Sequence, residues 1–172
     1  LKAREEADSV GGVTETVICG TPAGVGEPWF DSVESVISHA AFSLGGVKGV
    51  EFGAGFAVAD MKGSECNDPL RVSGGRIVTT TNNNGGINGG ITNGMPIVFR
   101  CAVKPTPSIA QQQDTVDFIK NENTQLSIHG RHDPAIIRRI CPVLDSVAAL
   151  CVADMLSLRY GTDVLTKGVD DK

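Results

Sequence analysis

Ile136-Ile137-Arg138-Arg139-Ile140-Cys141-Pro142-Val143-Leu144-Asp145-Ser146-Val147-Ala148-Ala149-Leu150-Cys151-Val152-Ala153-Asp154-Met155-Leu156 is the stretch that decides the fold class. Its apolar residues fall at 136, 137, 140, 143, 144, 147, 148, 151, 152, 155 and 156. Steps of three and four residues mark one face of a helix. Asp133-Pro134 just upstream reads as an N-cap followed by proline at the first helical position. A helix is therefore predicted from Pro134 to about Tyr160, with Gly161 as its stop. Pro142 is expected to kink it or divide it in two.

Upstream, Ile97-Val98-Phe99-Arg100-Cys101-Ala102-Val103 reads as a strand, and Thr124 to Ile128 as a shorter one. Val13 to Cys19 is β-branched and partly alternating, a further strand. From Phe30, apolar residues at 30, 33, 36, 37, 40, 41 and 44 predict a second helix, with Asp31 and Glu34 as its capping box and Gly45-Gly46 as its end. Residues 47–61 read as strand, with Gly53 and Gly55 marking a bulge or bend. Strand-rich stretches between two long helices predict an α+β fold. The domain is expected to span 1–161, followed by a polar tail at 162–172.

At 172 residues the chain is long enough for one domain with a real core. A net charge of −5 argues against a nucleic-acid-binding face. No uninterrupted apolar run reaches the ~18 residues of a membrane span. The start, Leu1-Lys2-Ala3-Arg4-Glu5-Glu6, has neither Met nor the features of a signal peptide, and reads as the middle of a longer protein. The five cysteines show no Cys-x-x-Cys spacing, which speaks against zinc. Their odd number favours a reducing compartment. Cys101, Cys141 and Cys151 sit in apolar stretches and are expected to be buried, inert thiols.

Chemistry concentrates in three places. Glycine is 21 of 172 residues, well above average use, so many positions need positive φ or close backbone approach. The excess peaks in a long loop at 62–94, through Asn82-Asn83-Asn84-Gly85-Gly86-Ile87-Asn88-Gly89-Gly90-Ile91. The spacing is neither that of a Walker loop nor that of the dinucleotide fingerprint, so this is a backbone-lined polar site or a disordered loop. Lys104-Pro105-Thr106-Pro107-Ser108 offers one cation and two hydroxyls on a proline-stiffened frame. That suits a phosphate or the polar edge of a heteroaromatic ring; a plain strand-exit turn is the alternative. His129-Gly130-Arg131-His132-Asp133-Pro134 gathers two imidazoles, a guanidinium and a carboxylate at a helix start. Capping and surface charge are the bland reading there, anion binding or proton transfer the functional one.

Taken in order, Asp8-Ser9-Val10-Gly11-Gly12, Gly24-Val25-Gly26-Glu27-Pro28-Trp29-Phe30-Asp31, Val47-Lys48-Gly49-Val50-Glu51-Phe52-Gly53, the Asn/Gly run, Lys104 to Ile109 and Gly130 to Pro134 give the chain its family likeness. It resembles the chorismate synthases. The resemblance implies a β-α-β sandwich of helices packed with antiparallel sheets. It implies an FMN-dependent lyase that converts 5-enolpyruvylshikimate 3-phosphate to chorismate and phosphate, and that is cytoplasmic and homotetrameric. Reduced FMN is the implied cofactor, although the reaction has no net redox change. Carried over by position, Lys104, Pro105, Thr106, Pro107, Ser108 and Gly89 would line the flavin. Gly45 and Gly46 would occupy another flavin-contacting position, where the family commonly carries Asn-Ala. Arg131 would meet flavin or substrate. Asp133 would be catalytic, helping the flavin N5 handle its proton. His39, within the first helix, reads as structural. The family's Gly-Glu-Ser-His-Gly motif, second catalytic histidine and arginine cluster do not occur in this sequence, so the chain is expected to be inactive alone. The alternative is a non-catalytic module that builds an oligomer and binds flavin weakly. Either way, the resemblance requires the Asn/Gly run, the lysine turn and Asp133 to converge around one ring.

Overall fold

The computed structural model describes residues 2–130 and 132–168. In chain order its elements are α1 (Lys2–Glu5), β1 (Gly12–Ile18), α2 (Val33–Phe42), β2 (Val47–Phe52), α3 (Gly63–Cys66), β3 (Leu70–Ser73), β4 (Arg76–Thr79), β5 (Ile87–Asn88), β6 (Ile91–Thr92), β7 (Ile97–Val103), β8 (Gln113–Asp117), β9 (Glu122–Leu126), α4 (Ile137–Tyr160) and α5 (Val164–Lys167). The fold is α+β, as expected from the sequence.

β7 is the spine. It pairs antiparallel with β1 on one side and β2 on the other, in the order β1-β7-β2. Its alternating residues Ile97, Phe99, Cys101 and Val103 are buried, the period-two signature of a half-covered strand. Two helices cover that face. α2 contributes Val33, Ile37 and Ala41; α4 contributes Ile140, Leu144, Ala148, Val152 and Met155, nearly one residue per turn. Against α4, β1 buries Thr14 and Thr16 rather than its valines. Thr16 Oγ1 donates to Asp145 Oδ1 at 3.1 Å, which satisfies the buried hydroxyl. α4 is long and apolar enough, at a mean hydropathy of 1.7, to cross a membrane by length and composition. It holds no uninterrupted apolar run of that length, because Arg138, Arg139, Asp145 and Asp154 interrupt it. Its buried stripe packs on the sheet and on α2, as in a core helix.

Several predicted boundaries move. α2 is not capped by Asp31 and Glu34. Pro28 leads into a 3-10 turn at Trp29–Asp31, and the cap is Ser32, whose Oγ accepts the Ser35 N–H at 3.1 Å. Phe30, the first residue of the predicted stripe, is consequently exposed. β2 ends at Phe52 instead of 61, and residues 55–60 form 3-10 turns. Gly53 forces that end: at φ +54 it lies so close to the Asn83 carbonyl that a Cβ would collide with it. The register shift in β2 falls earlier, between Val47 and Gly49. α4 starts at Ile137 rather than Pro134, and Asp133 is not its N-cap. Pro142 lies inside α4 without dividing it. Here a proline forfeits only the N–H bond to Arg138, an exposed residue whose carbonyl water can serve.

The long loop expected at 62–94 is largely structured. It holds α3, the β3-β4 hairpin and the tight β5-β6 hairpin. Another hairpin, β8-β9, takes in the short strand predicted at 124–128, with bounds 122–126. Of the cysteines expected to be buried, Cys101 is fully so, Cys151 is half-buried and Cys141 is exposed. Burial raises the thiol pKa of Cys101; at Cys151 burial and then the Asp154 charge do the same.

Candidate functional site

The lysine turn leaves β7 at Val103, and four contacts set its position. Lys104 N–H donates to the Gly46 carbonyl at 2.8 Å, so Gly45-Gly46, just past the end of α2, abut the turn. Ser9 Oγ donates to the Thr106 carbonyl at 2.6 Å. Gly11 lies so close to the Val103 carbonyl and the Pro105 ring that a side chain would clash there. Ser108 Oγ lies 2.9 Å from His132 Nδ1.

That last contact joins the lysine turn to the segment entering α4. His132 Nε2 is 2.9 Å from the Ile128 carbonyl. Asp133 Oδ1 accepts the Ala135 N–H at 3.2 Å, and its Oδ2 lies 3.0 Å from Arg139 Nε. The Pro134 carbonyl accepts the Val10 N–H at 2.8 Å. Between these pieces lies a cleft of about 440 Å³, whose polar lining comes from Arg4, Asp8, Ser9, Ser108, His132 and Asp133. That volume falls in the range of small-molecule sites.

Of the expected site residues, Ser108 and Asp133 line this cleft, and Lys104, Pro105, Thr106 and Pro107 form the turn beside it. Gly45 and Gly46 abut the turn. Arg131 lies outside the described residues. Gly89 is elsewhere. It sits in the two-residue turn between β5 and β6, and the next residue, Gly90, accepts the Val33 N–H at 3.0 Å. That is the N-terminal end of α2, whereas Gly46 follows its C-terminal end. The ten residues of α2 put about 15 Å between them. Of the three segments, the end of the lysine turn and the Asp133 segment line one cleft; within one chain the Asn/Gly run stands apart.

The Asn/Gly run has structural work of its own. Asp68 Oδ1 accepts the Thr81 hydroxyl and the Asn83 N–H, each at 2.7 Å. Its Oδ2 accepts the Asn84 N–H at 2.9 Å and Asn84 Nδ2 at 2.8 Å. Burial works to raise the Asp68 pKa, but the hydrogen bonds from Thr81, Asn84 and Asn83 prevail and hold the carboxyl below its ordinary value. The Asp68 carboxylate thus ties the loop together. Among the described residues, no three His, Cys, Asp or Glu side chains stand close enough to hold a metal ion.

Sequence reasoning assigned no role to Arg4, Asp8 or Ser9. The signal was present in Gly11-Gly12, which marks a close backbone approach beside β1. What approaches them lies about a hundred residues away in the chain and could not be read from spacing.

One unpaired group lies in the turn beside the cleft. Thr106 Oγ1 is buried and has no hydrogen-bond partner. A buried hydroxyl is rarely left so unless something else completes it.

The features described define an α+β protein whose cleft lies between the end of a lysine-proline turn and the His132-Asp133 segment at the mouth of a core helix. The family model of chorismate synthase matches residues 1–157, and the chain belongs to that family. It is 52% identical over 158 residues to chorismate synthase of Methanosarcina acetivorans, covering 92% of this chain and 43% of the relative. It is 53% identical over 160 residues to chorismate synthase of Chitinophaga pinensis, covering 93% of this chain and 48% of the relative. A crystal structure of chorismate synthase matches with a TM-score of 0.75 at 32% identity, over 94% of this chain and 41% of the other. The chain therefore spans less than half the length of these relatives.

Proposed function

We propose that the full-length protein containing these residues converts 5-enolpyruvylshikimate 3-phosphate to chorismate and phosphate with reduced FMN, as a cytoplasmic homotetramer, and that residues 1–161 are one part of its catalytic domain. The observation that carries this reading is the Ser108–His132 contact. It brings the lysine turn and the Asp133 segment to one cleft in a chain of this family.

The residues present fit a flavin. The cleft is large enough for one edge of a flat heteroaromatic ring, and in the turn beside it the buried Thr106 Oγ1 has no hydrogen-bond partner. Lys104 offers positive charge beside it, and the prolines at 105 and 107 hold the turn stiff, which lowers the entropy lost on binding. The lysine turn and the Asp133 segment would hold reduced FMN there, and it would supply transient electron density for loss of the 3-phosphate and a site for the C6 hydrogen. Asp133 is held at Oδ1 by Ala135 and at Oδ2 by Arg139, and its remaining lone pairs hold or pass the proton at the ring edge. Arg131 meets flavin or substrate.

The test is turnover of 5-enolpyruvylshikimate 3-phosphate by the full-length protein with FMN under reducing conditions. Chorismate and phosphate released in equal amounts is the expected result. Tight flavin binding with no chorismate would overturn the catalytic reading and leave a flavin-binding module.

A further inference from the structure

We propose that His132 is a positioning residue that sets the hydrogen-bond polarity of the Ser108 hydroxyl, turning Ser108 into an acceptor for a ring N–H of the ligand in the cleft. The argument runs along one chain of atoms. His132 Nε2 lies 2.9 Å from the Ile128 carbonyl. A carbonyl oxygen only accepts, so Nε2 carries the ring proton. In a neutral imidazole Nδ1 is then bare and can only accept. Nδ1 lies 2.9 Å from Ser108 Oγ, so Ser108 donates its single proton there. What Ser108 has left for the cleft is lone pairs.

The two hydroxyls of the turn are therefore not equivalent. Thr106 Oγ1, in the same turn but outside the cleft lining, has no partner and its proton is uncommitted. Ser108 cannot donate to a phosphate or carbonyl oxygen while His132 is neutral; it can only receive an N–H. A ligand edge that presents an N–H to Ser108 matches this hydroxyl, and a bare phosphate does not. Among the described residues, the charged groups that line the cleft with His132 are Arg4, Asp8 and Asp133, the last itself held by Arg139. Protonating His132 would make both ring nitrogens donors and release the Ser108 proton toward the cleft. The identity of the ligand rests on the flavin reading above; the state of the ring does not.

The first measurement is made on the flavin-free full-length protein with 15N-labelled histidine, at a pH above the imidazole titration. Long-range 15N–1H correlation is expected to show one ring protonated at Nε2 and bare at Nδ1, assigned by its loss in His132→Asn. A proton on Nδ1, or the averaged pattern of a free imidazole, overturns the proposal. The second measurement is affinity for reduced FMN. His132→Ala should weaken it about tenfold, the loss of one oriented hydrogen bond. His132→Asn, whose amide oxygen can replace Nδ1 as acceptor, should restore it to within about threefold. Equal losses in the two variants mean that the ring merely packs, and overturn the proposal. A wild-type protein that binds no flavin sinks the flavin reading, while the ring spectrum still decides the state of His132.

Discussion

Asp133 and Arg139 form an ion pair across the entrance to α4, Oδ2 to Nε at 3.0 Å. The same carboxylate accepts the Ala135 N–H through Oδ1. Asp133 is therefore a local clamp as well as the acid at the cleft, and a substitution must separate the two roles. Asp133→Asn keeps an oxygen for Ala135 and removes the charge. The Arg139 side chain is 81% exposed, so the lost pair is worth at most about 1 kcal/mol of stability. In the full-length enzyme, kcat should fall by about a hundredfold or more, as for loss of an acid–base group. Affinity for reduced FMN should stay within about threefold. Stopped-flow turnover with a parallel flavin titration reads both; an unchanged kcat removes Asp133 from the chemistry.

Thr106 offers a test of the cradle. Thr106→Val replaces a buried, unpartnered hydroxyl by a methyl of similar shape. Stability without flavin should stay level or rise, because an unsatisfied polar group is removed. Flavin affinity should fall about tenfold if the hydroxyl donates to the ring. Thermal unfolding without FMN, set beside a fluorescence titration, separates the effects. Loss of stability with no loss of affinity would remove Thr106 from the cradle.

The Asp68 knot gives a pH prediction. Its folded pKa lies below the ordinary carboxylate value of 3.8, with the hydrogen bonds from Thr81, Asn84 and Asn83 outweighing burial. The unfolded state therefore takes up the proton first as pH falls. The stabilisation is complete above the unfolded pKa near ~4 and disappears as pH drops through the folded value. Asp68→Asn should flatten the acid side of the stability curve, between about pH 5 and pH 2. Urea unfolding across that range, wild type against variant, is the measurement; parallel curves would deny Asp68 its part in acid sensitivity.

Gly53 and Gly49 lie in the same neighbourhood and should respond oppositely. A Cβ on Gly53 would strike the backbone of Asn83 and Gly85, and its φ of +54 disfavours any side chain. Gly53→Ala should cost about 1–3 kcal/mol or more. At Gly49 a Cβ would meet Ala102 Cβ at 3.5 Å, an ordinary contact, so Gly49→Ala should lie within about 0.5 kcal/mol of wild type. Denaturant midpoints at equal m-values test the pair.

The legibility of the chain follows from how local each signal was. β7 was readable residue for residue because alternation within seven residues reports its own burial. The stripe on α4 was equally plain. The Ser32 cap was misread because Asp31 and Glu34 have the right letters one residue too early, while Pro28 and Trp29 had already bent the chain into a 3-10 turn. The β3-β4 hairpin and β8 escaped because their strands are only four or five residues long and largely exposed, whereas β9 was legible two residues late, as Thr124 to Ile128.

By itself, the sequence determined the α+β class, the two core helices, the central strand and, through ordered motifs, the family. Those properties are written in nearest neighbours and in helical or strand periods. Only the tertiary structure decided that Ser108 meets His132, that Ser9 supports Thr106, and that Gly89 sits at the opposite end of α2 from Gly46. Such contacts join residues tens of positions apart. Their partners are chosen by how sheet and helices close on a shared core, which no short window of residues records.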